Sequence, residues 1–222
     1  MNRQFPLLAA NLLALLLPER CRVCRRPSAV ALCPACHGMV TYCDDDSVGD
    51  DADTRSCRSL CLYDEPVAGL IHRLKYAADR TVLPALARIA AGRDLADCAA
   101  ADMIIPVPLH ISRLRRRGLN QSLLLARLFF PERRHRIHCD ILIRHRPTPP
   151  QTELSGNARR HNLENAFSLT PAAREIFGQH LLLVDDVRTT GSTLAECRRV
   201  LLAGGAARVS CLTLARADSQ LL

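Results

Sequence analysis

The chain of 222 residues has no tryptophan, and aromatic side chains make up 4% of it. A protein that gripped nucleic acid mainly by stacking bases would need a platform of such rings, so that mode of binding is weakened from the start. Lysine is almost missing as well. Of thirty basic residues, all but Lys75 are arginine. Lysine is a compact point charge and arginine a planar fork, so the survivor suggests a tight site where the two do not interchange, with chance survival as the plain alternative. A bilayer span is lacking too, since it takes about 20 apolar residues. The apolar stretch Phe5 to Leu17 is shorter than that, follows a single basic residue, lacks a small-x-small cleavage site and runs into Pro18 and Cys21. It reads as a packing helix leading into a cysteine module, in a reducing cytoplasm, rather than as a secretory leader or a membrane-surface helix.

What is present suffices for one good-sized domain and a small appendage, with 48% apolar residues. The net charge of +8 is unevenly spread. Residues 1 to 53 carry five basic and seven acidic groups, whereas residues 54 to 222 carry 25 basic and 15 acidic, a net of +10. Such a cationic domain suits a polyanionic ligand, either a diphosphate sugar or a nucleic acid.

Seven of the eleven cysteines fall before residue 62. Cys21, Cys24, Cys33 and Cys36 form C-x2-C-x8-C-x2-C, two knuckles that place four thiolates around one tetrahedral site. That arrangement suits one structural zinc per chain and leaves no open coordination position for catalysis. Cys43, Cys57 and Cys61 do not repeat the spacing, and a fourth ligand is missing unless His37 supplies it, so a second metal is not expected. The six aspartates of DDDSVGDDAD lack the spacing of a calcium loop and read as a solvated connection. The expected division is a module at 1–56 and a larger domain at 57–222.

That larger domain is organised around His180 to Ala195, HLLLVDDVRTTGSTLA. Leu181 to Val184 is an apolar run of the kind a strand buried on both faces requires. Asp185 and Asp186 are expected at its end, then a hydroxyl-rich loop, then a helix over Leu194 to Leu202. Backbone N–H groups at a helix start are unpaired and carry the positive end of the dipole, so a phosphate placed there gains hydrogen bonds and field together. Thr189, Thr190, Ser192 and Thr193 add hydroxyls, and Gly191 lets the backbone approach the anion. Two carboxylates would repel a phosphate, but they suit the vicinal hydroxyls of a ribose while a divalent cation screens their charge. The loop reads as a cradle for a ribose 5-phosphate.

Elsewhere the pattern alternates. A short strand before Glu65-Pro66 precedes a helix with Val67, Leu70, Ile71 and Leu74 on one face and Lys75 at its end. A helix over Val82 to Ala91 and a strand over Met103 to Val107 follow. Next is a basic loop, HISRLRRRGLNQS, and a helix over Leu119 to Phe129. Arginines clamp phosphate oxygens in pairs, so Arg113 and Arg117 are the candidates within that loop, ahead of His110; a solvated basic turn is the alternative. A short strand at Asp140 to Ile143 leads into a long segment weak in apolar residues, in which Gln151, Arg159, Arg160 and Asn162 could ride on a closing flap that excludes water. A last strand is expected in RVSCLTLAR. Strands alternating with helices imply a mostly parallel sheet flanked by helices, an α/β fold with ligand beyond the carboxyl ends of the strands.

VDDVRTTGST resembles the phosphoribosyl diphosphate signature of type I phosphoribosyltransferases, a Rossmann-like α/β fold. With the cysteine knuckles, IHRLKY, IIPVPLHISRLRRRGLNQS, PQTELSGNARRHNLENAF and the terminal LAR, the chain is similar over nearly its whole length to the competence protein F (ComF/GntX-like) family: a zinc-ribbon followed by a type I phosphoribosyltransferase domain. The resemblance implies that Asp185 and Asp186 hold the ribose hydroxyls and that residues 189–193 hold the 5-phosphate. It assigns the diphosphate to the arginine loop, with Lys75 beside it. It further implies magnesium with the phosphoribosyl diphosphate, a bacterial cytoplasm, and a role in DNA uptake or in using DNA as a nutrient. In such an enzyme the acceptor attacks the anomeric carbon and magnesium diphosphate leaves, with no covalent nucleophile from the protein. An adaptor that senses the sugar diphosphate while binding single-stranded DNA or a DNA-uptake protein is the second class the sequence leaves open. Many family members carry a second pair of knuckles, which here has decayed into the aspartate loop and CRSLC.

Overall fold

A computed structural model of the chain describes residues 19–43, 57–146 and 165–217. The Phe5 to Leu17 stretch, the aspartate loop and the flap candidates Gln151, Arg159, Arg160 and Asn162 lie outside the described residues.

The knuckles come first, with a one-turn helix α1 (Pro34–Gly38) after Cys33. Strand β1 (Cys57–Leu62) leads to α2 (Val67–Tyr76), whose buried residues are the four apolar ones expected from the spacing. A 3-10 turn at Arg80–Val82 opens α3 (Leu83–Ala91), and a short α4 (Ala96–Ala99) precedes β2 (Met103–Pro106). Next come α5 (Ile111–Arg117), α6 (Gln121–Phe129) and a 3-10 stretch at Pro131–Arg136. Strands β3 (Leu142–Arg144) and β4 (Phe167–Leu169), a 3-10 turn at Pro171–Ile176, β5 (His180–Arg188), α7 (Ser192–Ala203) and β6 (Arg208–Arg216) complete the described chain.

Four of these strands form one parallel sheet in the order β1-β6-β5-β2. Its two faces follow from alternation along the strands. Leu182, Val184, Leu212 and Leu214 point into a cluster with α2, α3 and α6, while Leu181, Leu183, Val209 and Cys211 point into a second cluster with Leu194, Cys197 and Leu201 of α7. A strand covered on both sides has no position for a polar residue, which is why it reads as an unbroken apolar run. All four residues from Leu181 to Val184 are fully buried, each contributing about 1.5–3 kcal/mol of transfer free energy.

The knuckle module packs on the same core. Cys21, Leu32, Cys36 and Val40 belong to the α2 and α3 cluster. Tyr42 donates its hydroxyl to the Ile89 carbonyl at 3.1 Å, Arg93 Nη2 donates to the Cys43 carbonyl at 2.7 Å, and Arg73 donates to the Arg22 carbonyl.

Three expectations need correction. The basic segment after β2 is a helix, not a loop. His110 accepts from the Ser112 N–H at 3.3 Å as its N-cap, its arginines favour helix, and Gly118 ends it at φ 70°. Strand β5 does not stop at Val184; it stays paired with β6 out to Arg188 opposite Arg216. The strand expected at Asp140 to Ile143 begins two residues later, at Leu142, and lies outside the main sheet, pairing antiparallel with β4.

Candidate functional site

The carboxyl end of β5 opens into a hollow lined by Asp185, Val187, Arg188 and every residue from Thr189 to Leu194; with its open mouth it measures about 260 Å3. Gly191 makes the corner. Its φ of 77° and ψ of −7° are left-handed, and it stands directly before the first turn of α7. A Cβ added there would meet nothing within 4 Å, so the backbone at this corner is open. No side chain caps α7. The Thr190 and Ser192 hydroxyls are 2.9 Å apart, and the Ser192 N–H reaches Thr190 Oγ1 only at 3.5 Å. A helix start left uncapped, in a cup of hydroxyls, offers donors and positive field to an anion.

The two acids stand in unlike surroundings. Asp185 lines the hollow and accepts from Ser122 Oγ at 2.8 Å and from the Asp186 N–H at 2.9 Å. Burial, and then the charge of Asp186, push its carboxyl up to about 7 despite those hydrogen bonds. Asp186 is 7% exposed, and Lys75 Nζ lies 3.0 Å from its Oδ1. Burial of Lys75 opposes its charge, but Asp186, Asp185 and Tyr63 outweigh that and hold the ammonium above its usual range. The single lysine of the chain, expected on the diphosphate, is thus brought to the acid pair.

Helix α5 turns two of its four arginines inward. Arg113 and Arg117 are partly buried while Arg115 and Arg116 are exposed. Arg117 lies over the Tyr76 ring at 5.4 Å and reaches Gln121 Oε1 at 3.4 Å, which sets it beside the end of α2 next to Lys75. Burial and the neighbouring Arg117 and Arg116 lower the pKa of Arg113. His110 is engaged as the cap of α5.

Two residues that act on Asp185 were missed by the sequence reading. Ser122 is buried in the first turn of α6, held there by the Asn120 N-cap, whose Oδ1 accepts from the Ser122 N–H at 3.0 Å. Arg144 of β3 stacks over Phe167 at 5.3 Å; burial and Arg113 pull it down to about 10, and Cys197 and Asp185 pull the other way. It therefore sits between the arginine helix and Asp185. Ser122 could have been suspected from its place in a helix first turn after a predicted basic segment. Arg144, at the end of a three-residue strand, could not.

The Sγ atoms of Cys21, Cys24, Cys33 and Cys36 all lie within 4.8 Å of one another, with Cys24 and Cys33 at 3.8 Å. A regular tetrahedron with metal–sulfur bonds of about 2.3 Å has edges of about 3.8 Å, so the four thiols fit a bound metal ion. Among the described residues no other group of three or more metal-ligand side chains converges in this way. Cys61 donates to the Leu214 carbonyl at 3.1 Å, and burial raises its thiol to about 12. Cys57 is instead hydrogen-bonded to Cys211 across the sheet. No helix among the described residues is long and apolar enough to cross a membrane.

Residues 91–222 match the model of the phosphoribosyl transferase domain. The chain is 35% identical over 210 residues to the DNA utilization protein YhgH of Escherichia coli O157:H7, covering 88% of this chain and 89% of that protein. It is 38% identical over 165 residues to competence protein F of Haemophilus influenzae, covering 70% of each. Competence protein ComFC of Bacillus subtilis is 28% identical over 204 residues, which cover 88% of this chain and 77% of that protein.

Proposed function

The chain belongs to the phosphoribosyl transferase domain family, with relatives named for competence and DNA utilization, and from that premise we propose that it binds phosphoribosyl diphosphate with magnesium and transfers the 5-phosphoribosyl group to an acceptor, releasing diphosphate. The observation that carries this reading is the conjunction at the end of β5: an uncapped helix start, a left-handed glycine and a ring of hydroxyls, with a carboxylate in the same hollow. A 5-phosphate fits the N–H groups and hydroxyls of residues 189–193, and a ribose hydroxyl fits Asp185. Arg113 and Arg117, turned inward from α5, suit the diphosphate, where arginine pairs phosphate oxygens.

Catalysis in this reading is positioning and charge stabilisation. The cradle fixes one end of the sugar and the arginines receive charge as it develops on the leaving diphosphate. Oxygen donors such as Asp185 and the diphosphate itself suit magnesium, which when bound neutralises that leaving group. The four-cysteine cluster holds a structural zinc, its closed sulfur shell leaving no position for a substrate. In this reading the chain works in the cytoplasm and its activity serves DNA uptake or utilisation.

One observation favours a second reading, a non-catalytic adaptor for single-stranded DNA or a DNA-uptake protein that responds to the sugar diphosphate. Arg115 and Arg116 are exposed on the helix whose other two arginines are partly buried, so one element could serve both ligands. Measurement of diphosphate release from phosphoribosyl diphosphate across a panel of bases and amines separates the two. Acceptor-dependent release supports transfer; binding without release supports the adaptor; absence of binding overturns both.

A further inference from the structure

Adjacent acids at the end of a strand point to different sides, and here the two sides differ in kind. Asp185 lines the hollow. Asp186 is not among the lining residues, and its carboxylate meets Lys75 Nζ at 3.0 Å, with both side chains largely withdrawn from water at 19% and 10% exposure. A pair so buried is held together because each partner offsets the desolvation of the other, and removing one leaves an uncompensated charge. The backbone completes the link. The Asp186 N–H donates to Asp185 Oδ1 at 2.9 Å, so whatever fixes Asp186 also fixes one of the bonds that orients Asp185. Ser122 Oγ supplies the other, at 2.8 Å.

We infer that Lys75 is a positioning residue that acts through Asp186: it anchors the end of β5 from the α2 side and so fixes the backbone bond that orients Asp185. The ligand part of this inference rests on the proposed reading of the hollow as a ribose-phosphate site; the ion-pair part does not. It also accounts for lysine at this position in a chain that otherwise uses arginine, since a planar fork does not fit where a point charge meets one carboxylate oxygen.

The test is a double-mutant cycle with Lys75→Met, Asp186→Asn and the double variant, read by thermal unfolding and by calorimetric titration with magnesium phosphoribosyl diphosphate and with inorganic diphosphate. Each single variant is expected to lower Tm by on the order of 10 °C, and the double variant by clearly less than the sum. Lys75→Met is expected to weaken phosphoribosyl diphosphate about ten-fold, the double variant no more than the worse single one, and inorganic diphosphate is expected to bind Lys75→Met as it binds the unaltered protein. Additive Tm losses would overturn the pair. A parallel loss of inorganic diphosphate in Lys75→Met would overturn the positioning role, making Lys75 a phosphate ligand. If the methionine variant does not fold, Lys75→Gln carries the same cycle. Failure of the unaltered protein to bind phosphoribosyl diphosphate would instead strike the proposed function, with the thermal cycle still deciding the pair.

Discussion

Replacing Gly191 by valine tests the cradle most directly, because the structure separates its effect on folding from its effect on binding. At φ 77° an L-residue pays the left-handed penalty of about 1–2 kcal/mol, and a β-branched one sits at the upper end. Nothing within 4 Å meets the added Cβ, so no packing clash adds to that strain. At roughly 2–4 °C per kcal/mol for a chain of this size, the variant should lose about 2–8 °C in Tm and remain folded. Binding should fall much further. An isopropyl group at Gly191 adds bulk directly beside the first turn of α7, where the proposed site would receive its anion, and each backbone bond to a charged ligand is worth about 1.5–3 kcal/mol. Loss of one such bond weakens phosphoribosyl diphosphate by about 10- to 100-fold, and loss of two by about 100- to 10,000-fold. Gly191→Ala, with a smaller backbone penalty and less bulk, should fall between the unaltered protein and the valine variant. Calorimetry on folded protein is the assay; wild-type affinity in the valine variant would mean that the loop is a helix start and nothing more, and transfer chemistry would lose its site.

Metal analysis should find one zinc per chain; none, or two lost independently, would count against the knuckle assignment. Cys36→Ser should lower the Tm of the whole protein as well as loosening residues 19–43, because Cys21, Leu32, Cys36 and Val40 share the core of α2 and α3. Asp185 carries a proton more readily when folded, so without magnesium its contribution to stability is full below the unfolded value of about 4 and is lost as pH rises through about 7; Asp185→Asn should flatten that part of the stability profile. Any DNA binding through α5 should be modest, weaken steeply with added salt and show little sequence preference, since it would come from phosphate neutralisation; salt-independent or strongly sequence-specific binding would refute it.

How far the fold was legible follows from what each element has to satisfy. Strand β5 and helix α2 were readable because burial on two faces or on one stripe dictates every residue: Leu181 to Val184 tolerates nothing polar, and Val67, Leu70, Ile71 and Leu74 fall at helical spacing. Helix α5 was not readable in this way. It buries no residue, so no apolar period marks it, and its helicity rests on a histidine cap, a glycine stop and the propensity of arginine. Reading a run of arginines as a loop takes charge as a sign of irregular backbone, when charge only says that the element lies at the surface. Strand β4 was missed for a related reason: three residues paired only with β3 carry too short a pattern to stand out.

The residues of the candidate site were legible in composition and illegible in orientation. That Asp185 and residues 189–194 share one hollow follows from their adjacency after an apolar strand, whichever way each side chain points. The expectation that the strand ends where the polar residues begin hid the rest. Because β5 stays paired with β6 through Val187 and Arg188, Asp185 and Asp186 are still strand residues and obey its alternation. One is then delivered to the hollow beside Ser122, the other to the buried side of the sheet beside Lys75. A carboxylate can be placed on that buried side only if a cation is already waiting, and α2 supplies it from its last turn. Lys75 and Asp186 therefore explain each other: each stabilises the other's charge at the end of β5.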